Sequence, residues 1–293
     1  IEVAAFTNLS REHLDYHKTM EKYFNAKCRL FTEVLNPDGI AVINADDKMM
    51  TRVLEILKER NISRIEFGKN AHDLILKQNE ILPDGQKLSL SVFGRTFNVI
   101  LPLIGSFQSM NVLCALAIVV ASGVDPEKAV RTLSKLHGVK GRMELAARTS
   151  HGSRIFVDYA HTPDAIKNVL NSLRSHTSKK LKIVFGCGGN RDHGKREQMG
   201  KIASELADEV IITDDNPRYE NAAKIRAQIK SASPGAIEIA DRMDAITTTI
   251  KSLSSGDLLI IAGKGHEQGQ IISGAELPFD DVEAVKTAVR CSL

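Results

Sequence analysis

The stretch KIVFGCGGNRDHGKREQMGKIASELADEVIITDDNPR, Lys182–Arg218, decides the fold. An apolar run (Lys182–Phe185) enters a glycine-rich turn, a helical segment follows, and a second apolar run (Val210–Thr213) ends in another polar turn. Short apolar runs bounded by turn residues read as buried strands. Further strands are expected at Ile155–Asp158, Ile237–Ala240 and Leu258–Ala262, each followed by a helix or a tight turn. Such βα repetition predicts an α/β fold with a doubly wound, largely parallel, Rossmann-like sheet. Ligands of such sheets bind beyond the carboxyl ends of the strands. Every polar motif of this half lies there: DYAHTPDA, GCGGNRDHGKR, DDNPR and GKGHE follow the first, second, third and fifth strands. Each alone would suit any tight turn, but four converge on one rim.

Working outward, the texture changes near residue 142. Upstream come a helix from Thr19 that carries Lys27, a strand at Ile40–Asn44 and a helix at Met49–Arg60. Short alternating segments from Ile65 to Leu103 then break at Gly and Pro, as in LPDGQKLSLSVFG, before helices at Asn111–Ser122 and Pro126–Leu136. Two domains are expected, 1–141 and 142–293, each large enough to bury its own core.

The loop Gly186–Arg196 nearly matches two phosphate-binding signatures. Gly189–Lys195 satisfies G-x-x-x-x-G-K, yet Arg196 stands where a Ser or Thr hydroxyl is needed for magnesium. GCGGNR also fails G-x-G-x-x-G at Arg191. Neither a Walker motif nor a dinucleotide fingerprint is present here, which argues against a nucleotide-dependent oxidoreductase.

In TMEKYFNAKCRLF, residues Met20, Tyr23, Phe24, Leu30 and Phe31 fall on one helical stripe with Lys27 in its middle. An ammonium on an apolar face suffers desolvation, which should lower its pKa and populate the neutral amine. That amine can take up carbon dioxide, and the resulting carbamate is an oxygen-donor anion suited to a hard cation such as Mg2+. His13, in TNLSREHLDYH, could supply a second ligand. The alternative is a Lys27 that snorkels to water over a buried stem and an ordinary loop histidine.

Composition agrees with a soluble enzyme. The 39 Lys+Arg nearly balance the 36 Asp+Glu, and no basic run or aromatic-interleaved stripe points to nucleic acid. The longest apolar stretch, near Val112–Ala121, suits a core helix rather than a membrane span. Cys28, Cys114, Cys187 and Cys291 are scattered without CxxC spacing, so a reducing cytoplasm with packing thiols is expected.

TNLSREHLDYH with AKCRLF, followed by NADD, GSFQSMN, GRME, DYAHTPDA, FGCGGNRDHGKR, DDNPR and AGKGHE in that order, resembles the Mur ligases over nearly the whole chain. It is most similar to the members that add the third amino acid of the peptidoglycan stem. The resemblance implies the later part of a central ATPase-type domain followed by the C-terminal Rossmann-like domain. It implies Lys27 as a carbamate and His13 as metal ligands serving the γ-phosphate, and Asn111, Arg142, Asp158 and His161 as ATP contacts. GSFQSMN carries Gln108 where the family usually has Asn, so that position is not carried over.

DNPR accompanies use of meso-diaminopimelate in the family. The implied contacts to that amino acid are Arg191, Asp215, Asn216, Pro217, Arg218, Gly263 and Glu267, with Glu267 taking an ammonium group. Independently, the Arg218 guanidinium offers a planar fork for a carboxylate. The activity implied is acid–amino-acid ligation with ATP as co-substrate, adding meso-diaminopimelate to UDP-N-acetylmuramoyl-L-alanyl-D-glutamate through an acyl phosphate, with closure of the domains on ATP excluding water. The family's glycine-rich ATP loop and N-terminal domain would precede TNLSREH. The chain is therefore expected to be the C-terminal part of a longer enzyme, inactive alone. The rival reading is a non-catalytic module that captures the amino acid or a peptide.

Overall fold

The computed structural model describes residues 1–291. Packing separates two units, Ile1–His137 and Gly138–Leu293, each with its own sheet. In the first, the order is β1 (Val3–Phe6), α1 (Leu14–His17), α2 (Met20–Arg29), β2 (Ile40–Asn44), α3 (Met50–Glu59), β3 (Ser63–Gly68), β4 (Leu74–Leu82), β5 (Gly85–Val92), β6 (Arg95–Leu101), α4 (Gln108–Ala121) and α5 (Pro126–Thr132). The sheet runs β1-β2-β3-β4-β5-β6, parallel as far as β4 and antiparallel beyond it. Successive side chains point to opposite faces. Ala41 and Ile43 of β2 therefore join Phe24, Cys28, Phe31, Val53 and Leu57 beneath α2 and α3. Val42 faces Leu113 and Leu116 of α4 instead.

The start of α4 is a correction to the sequence reading. The helix expected from Asn111 begins at Gln108, and Asn111 is exposed within it, its Nδ2 donating to Gln108 Oε1 at 3.1 Å. The cause is non-local. Gly105, at φ 105°, turns the chain early, and its carbonyl is held by Gln86 Nε2 of β5 at 2.8 Å.

The second unit contains β7 (Glu144–Arg148), β8 (Arg154–Asp158), α6 (Pro163–Arg174), β9 (Leu181–Phe185), α7 (Lys195–Leu206), β10 (Glu209–Ile212), α8 (Ala222–Ser231), β11 (Ile237–Glu238), α9 (Arg242–Lys251), β12 (Leu258–Ala262), β13 (Gly269–Ile272), β14 (Ala275–Pro278) and α10 (Asp281–Arg290). Its main sheet runs β11-β10-β9-β12-β8-β7, with only β7 antiparallel. Helices α9 and α10 cover one face, against Val157, Val184, Ile211 and Ile261. Helices α6, α7 and α8 pack on β9 and β10 from the other. Burial on both faces is why the parallel strands are unbroken apolar runs. Strand β12 returns between β9 and β8, so the direction of winding reverses there, and it is beyond the carboxyl ends of strands at such a reversal that doubly wound sheets bind ligands. Strand β11 is only two residues of the expected run, exposed at the sheet edge. The antiparallel β7 and the β13–β14 hairpin give no comparable apolar signal in the sequence.

Cys28, Cys114 and Cys187 are buried free thiols, and burial pushes Cys114 up to about 11 and Cys187 up to about 12, which suits packing rather than reactivity. Among the described residues no helix is long and apolar enough to cross a membrane.

One ion pair closes the face covered by α9 and α10. Arg242 and Asp281, both without solvent exposure, meet through two hydrogen bonds of 2.8 Å, and Arg242 Nη2 also donates to the carbonyl of Ala262 at 3.1 Å. Removing one partner leaves a buried charge uncompensated, which costs about 3–5 kcal/mol. Asp281→Ala should therefore lower the unfolding free energy by about that amount in urea titrations, whereas removing the exposed Lys286–Glu283 pair should change it by about 0–1 kcal/mol.

Candidate functional site

In the first unit, His13 and Lys27 both gather on the ring of Tyr23. His13, at φ 56° before α1, is exposed, and its ring lies 5.9 Å from that of Tyr23, edge to face. Lys27 is half-buried between the buried Phe24 and Cys28 of α2. Its Nζ sits 5.3 Å from the Tyr23 centroid and 5.9 Å from that of Phe6, and donates to the carbonyl of Asn8 at 3.3 Å. The Lys27 ammonium thus lies beside two aromatic rings and reaches a neutral carbonyl. Among the described residues no carboxylate pairs with it, so a carbamate there would displace no ion pair. Among the described residues no cluster of three or more His, Cys, Asp or Glu forms a metal site. A carbamate and one imidazole nonetheless fit Mg2+, which keeps several waters and draws other ligands from substrate phosphates.

The second unit assembles the remaining second-half motifs at the strand ends. Asp158, closing β8, is buried: Oδ2 accepts from Met143 N and Oδ1 from Ala160 N, each at 2.7 Å. Burial raises its pKa despite these two donors. Asp158 thereby clasps the segment entering the unit. Next to it Tyr159 is a hub. The exposed Arg142 guanidinium lies 4.4 Å over its ring, with the rings of His161 at 4.5 Å and His266 at 5.4 Å.

After β9, the glycines of Gly186–Gly194 make room for protein rather than for phosphate. A Cβ on Gly188 would fall 2.7 Å from Arg218 Nη1, and one on Gly189 would strike the carbonyl of Pro217. Arg196, where a Walker loop needs a hydroxyl, is turned inward at 1% exposure. Its Nη1 and Nη2 donate to Glu220 Oε2 and Oε1 at 3.0 Å, and further to Gln228 Oε1 at 2.7 Å and the Gly188 carbonyl at 3.2 Å. Glu220 also accepts from Asn190 N and meets His193 Nε2 at 3.2 Å. Arg191 is exposed, and its guanidinium is bonded to nothing among the described residues.

DNPR folds across this loop. Asp215 is 8% exposed and its carboxylate makes no hydrogen bond among the described residues. Gly263 passes so close to Asp215 Oδ2 that any Cβ there would collide with it. Asn216, also buried, donates from Nδ2 to Glu267 Oε2 at 2.9 Å, and its Oδ1 accepts from Lys264 Nζ and Ile271 N, each at 2.9 Å. Pro217 is buried, and Arg218 takes the left-handed conformation, φ 54°. Arg218 N donates to the Ile271 carbonyl and its Nη1 to the carbonyls of Gly189 at 3.0 Å and Asn216 at 3.4 Å. The Nε–Nη2 edge of the guanidinium has no acceptor among the described residues, and such an edge matches a carboxylate with two parallel hydrogen bonds. Glu267 keeps Oε1 unengaged, with its side chain 35% exposed.

Asp215, Asn216, Pro217, Arg218, Gly263 and Glu267 are thus one cluster within the second unit. Lys264, Arg196 and Glu220 were missed as members of its framework, because a charged residue in a polar loop reads as exposed.

Two family descriptions match the chain: "Mur ligase middle domain" over residues 1–119 and "Mur ligase, glutamate ligase domain" over residues 141–265. The chain belongs to the Mur ligase family. It is 48% identical over 289 residues to the UDP-N-acetylmuramoyl-L-alanyl-D-glutamate--2,6-diaminopimelate ligase of Zymomonas mobilis, covering 97% of this chain and 60% of that protein. It is 45% identical to the enzyme of the same name from Agrobacterium fabrum, covering 99% and 59%. The chain therefore spans about 60% of the length of these relatives. A solved structure of a ligase of this name aligns with a TM-score of 0.61 at 38% identity, over 99% of this chain and 60% of that one. MurF from Acinetobacter baumannii (TM-score 0.75, 19% identity, 89% and 56% covered) shares the fold.

The Glu220 network sets a pH dependence. The Arg196 hydrogen bonds hold the Glu220 carboxyl down to about 2, from an ordinary value of 4.5. A carboxylate with a depressed folded-state pKa contributes stability that is complete above about 4.5 and is lost as pH falls toward about 2. Glu220→Gln should flatten the decline in thermal midpoint across that window relative to the parent chain.

Proposed function

We propose that this chain is the part of an ATP-dependent acid–amino-acid ligase that handles the incoming amino acid, and that the ligase adds meso-diaminopimelate to UDP-N-acetylmuramoyl-L-alanyl-D-glutamate in the cytoplasm during cell-wall synthesis. The domain boundaries read from the sequence, 1–141 and 142–293, are kept as part of this proposal, within a few residues of the division by packing after His137. The observation that carries this reading is the pairing, in one cluster, of an unengaged guanidinium edge on Arg218 with unengaged carboxylate oxygens on Asp215 and Glu267. A zwitterionic amino-acid end needs those complements: a carboxylate on Arg218, an ammonium on Asp215 and Glu267. Arg191 offers a second guanidinium for the second carboxylate of diaminopimelate. Asn216, Pro217 and Gly263 fix the geometry rather than the charge.

The reaction has two steps. The γ-phosphoryl group of ATP passes to the side-chain carboxylate of D-glutamate, releasing ADP and leaving an acyl phosphate. The other diaminopimelate amine, neutral once it has lost its proton, then attacks the acyl carbon, the C–N bond forms and phosphate leaves. This chain's work is to hold the far end of the diamino acid so that the near amine is correctly aimed. Within the second unit, Arg142, braced on Tyr159, is suited to phosphate, with His161 on the same ring; Asn111, in the first unit, is proposed separately as a contact to the ATP base. Asp158 retains a ribose contact only through lone pairs that Met143 and Ala160 leave over. Lys27 as a carbamate and His13 would hold Mg2+, which when bound neutralises charge on the transferring phosphoryl group.

The test is ADP release by the protein at the full length of its relatives. Release should require the UDP-dipeptide and meso-diaminopimelate together, and equal turnover with lysine would defeat the substrate assignment. Amino-acid binding without any ADP release would favour a non-catalytic module. Arg218→Lys, which keeps the charge and loses the planar fork, should raise KM for diaminopimelate by roughly tenfold to a hundredfold. Lys27→Ala should cut turnover by more than roughly a hundredfold, and intact-mass measurement of the parent should show one added CO2 that this variant lacks.

A further inference from the structure

Lys264 is an ammonium buried completely within the second unit, with 0% exposure, yet nothing in the reaction above uses it. It cannot touch a ligand in the crevice, since no part of its side chain reaches solvent. Its Nζ donates to Asn216 Oδ1 at 2.9 Å and lies 3.5 Å from Glu267 Oε2. Asn216 Oδ1 takes a second donor, Ile271 N at 2.9 Å, while Nδ2 faces Glu267 Oε2 at 2.9 Å. Two donors that can only donate, on one side, and a carboxylate that can only accept, on the other, leave the Asn216 amide a single orientation. Both lone pairs of Oδ1 are taken, so Asn216 has no acceptor to offer a ligand. Glu267 Oε2 is held twice, by an amide and an ammonium, and Oε1 remains for something else.

We propose that Lys264 is a positioning residue for amino-acid specificity: through Asn216 it pins one oxygen of Glu267 so that the other is presented to the ammonium group of the incoming amino acid. This deepens, and rests on, the reading of the cluster as a diaminopimelate site. The backbone supports the assignment. Gly263 and Gly265 flank Lys264 at φ 118° and 55°, and a Cβ on Gly265 would fall 2.7 Å from the Tyr159 side chain, so the segment has little freedom to move the ammonium elsewhere. The hydrogen bond from Glu267 N to the Lys264 carbonyl, 2.9 Å, ties the two residues through the main chain as well.

The experiment is a calorimetric double-mutant cycle on this chain, titrating meso-diaminopimelate into the parent, K264M, E267Q and the double variant, each first checked for native circular dichroism. Should K264M not fold, K264Q, which keeps an N–H donor without the charge, takes its place. K264M should weaken binding roughly tenfold to a hundredfold. In the E267Q background the same change should add less than about twofold, because its effect runs through a group already neutralised. Binding of pimelate, which lacks both ammonium groups, should change less than about twofold in K264M. Losses that add across the cycle, or an equal loss for both ligands, would mark Lys264 as merely structural and overturn the inference, as would an unchanged affinity in K264M. A parent chain that fails to bind diaminopimelate would sink the site reading itself, and this inference with it.

Discussion

The crest of the second sheet depends on one residue whose polar groups are nearly all spoken for. Asn216 accepts from Lys264 and Ile271 through its side-chain oxygen, donates to Glu267 through its amide nitrogen, and accepts from Gly189 N at 2.9 Å through its backbone carbonyl. One residue with 5% exposure thus links the loops after β9, β10 and β12 and the β13 hairpin. Such a network has one satisfied arrangement and many costly ones, because a buried polar group that loses its partner forfeits far more than the bond gains. The left-handed Arg218, the glycines beneath it and the docking of β13 are consequences of that arrangement.

Much of this was legible in the sequence, for physical reasons particular to each element. Ile155–Val157 and Leu258–Ala262 are parallel strands buried on both faces, so their runs are apolar without alternation and stand out. DDNPR and GKGHE follow strand ends, where the topology leaves backbone and side chains free for ligands. The β4–β6 meander followed from its alternation and turn residues. What escaped reading is what long-range contact decides. β7 and the hairpin pair short, mixed segments, and nothing local distinguishes them from loop. The start of α4 depends on Gln86, a residue of another strand. Lys264 reads as a solvated turn lysine, and only the fold reveals that Asn216 and Glu267 bury it. For Lys27, periodicity placed aromatic neighbours around the amine, while the approach of His13 to the Tyr23 ring required the path of the intervening loop.

The second unit is unusual in how much charge it buries: Arg196, Arg242, Asp281 and Lys264 are all at most 1% exposed. Each is paired, and pairs of this kind contribute little net stability compared with well-packed apolar residues. Their value is positional. The diaminopimelate site proposed above would have to hold guanidinium and carboxylate groups close together without letting them collapse onto one another, and ionic groups fixed from beneath do that better than flexible surface ones. Arg196 on Glu220 keeps the loop below Arg218 in place, and Arg242 on Asp281 anchors the end of β12, from which Gly263 and Glu267 project.

Diffraction from crystals of this chain grown with meso-diaminopimelate tests that account most directly. A carboxylate on the Nε–Nη2 edge of Arg218, with the neighbouring ammonium shared by Asp215 and Glu267 Oε1, is the predicted result. An amino acid bound away from these groups, or a Glu267 swung clear of Asn216 in the complex, would contradict it.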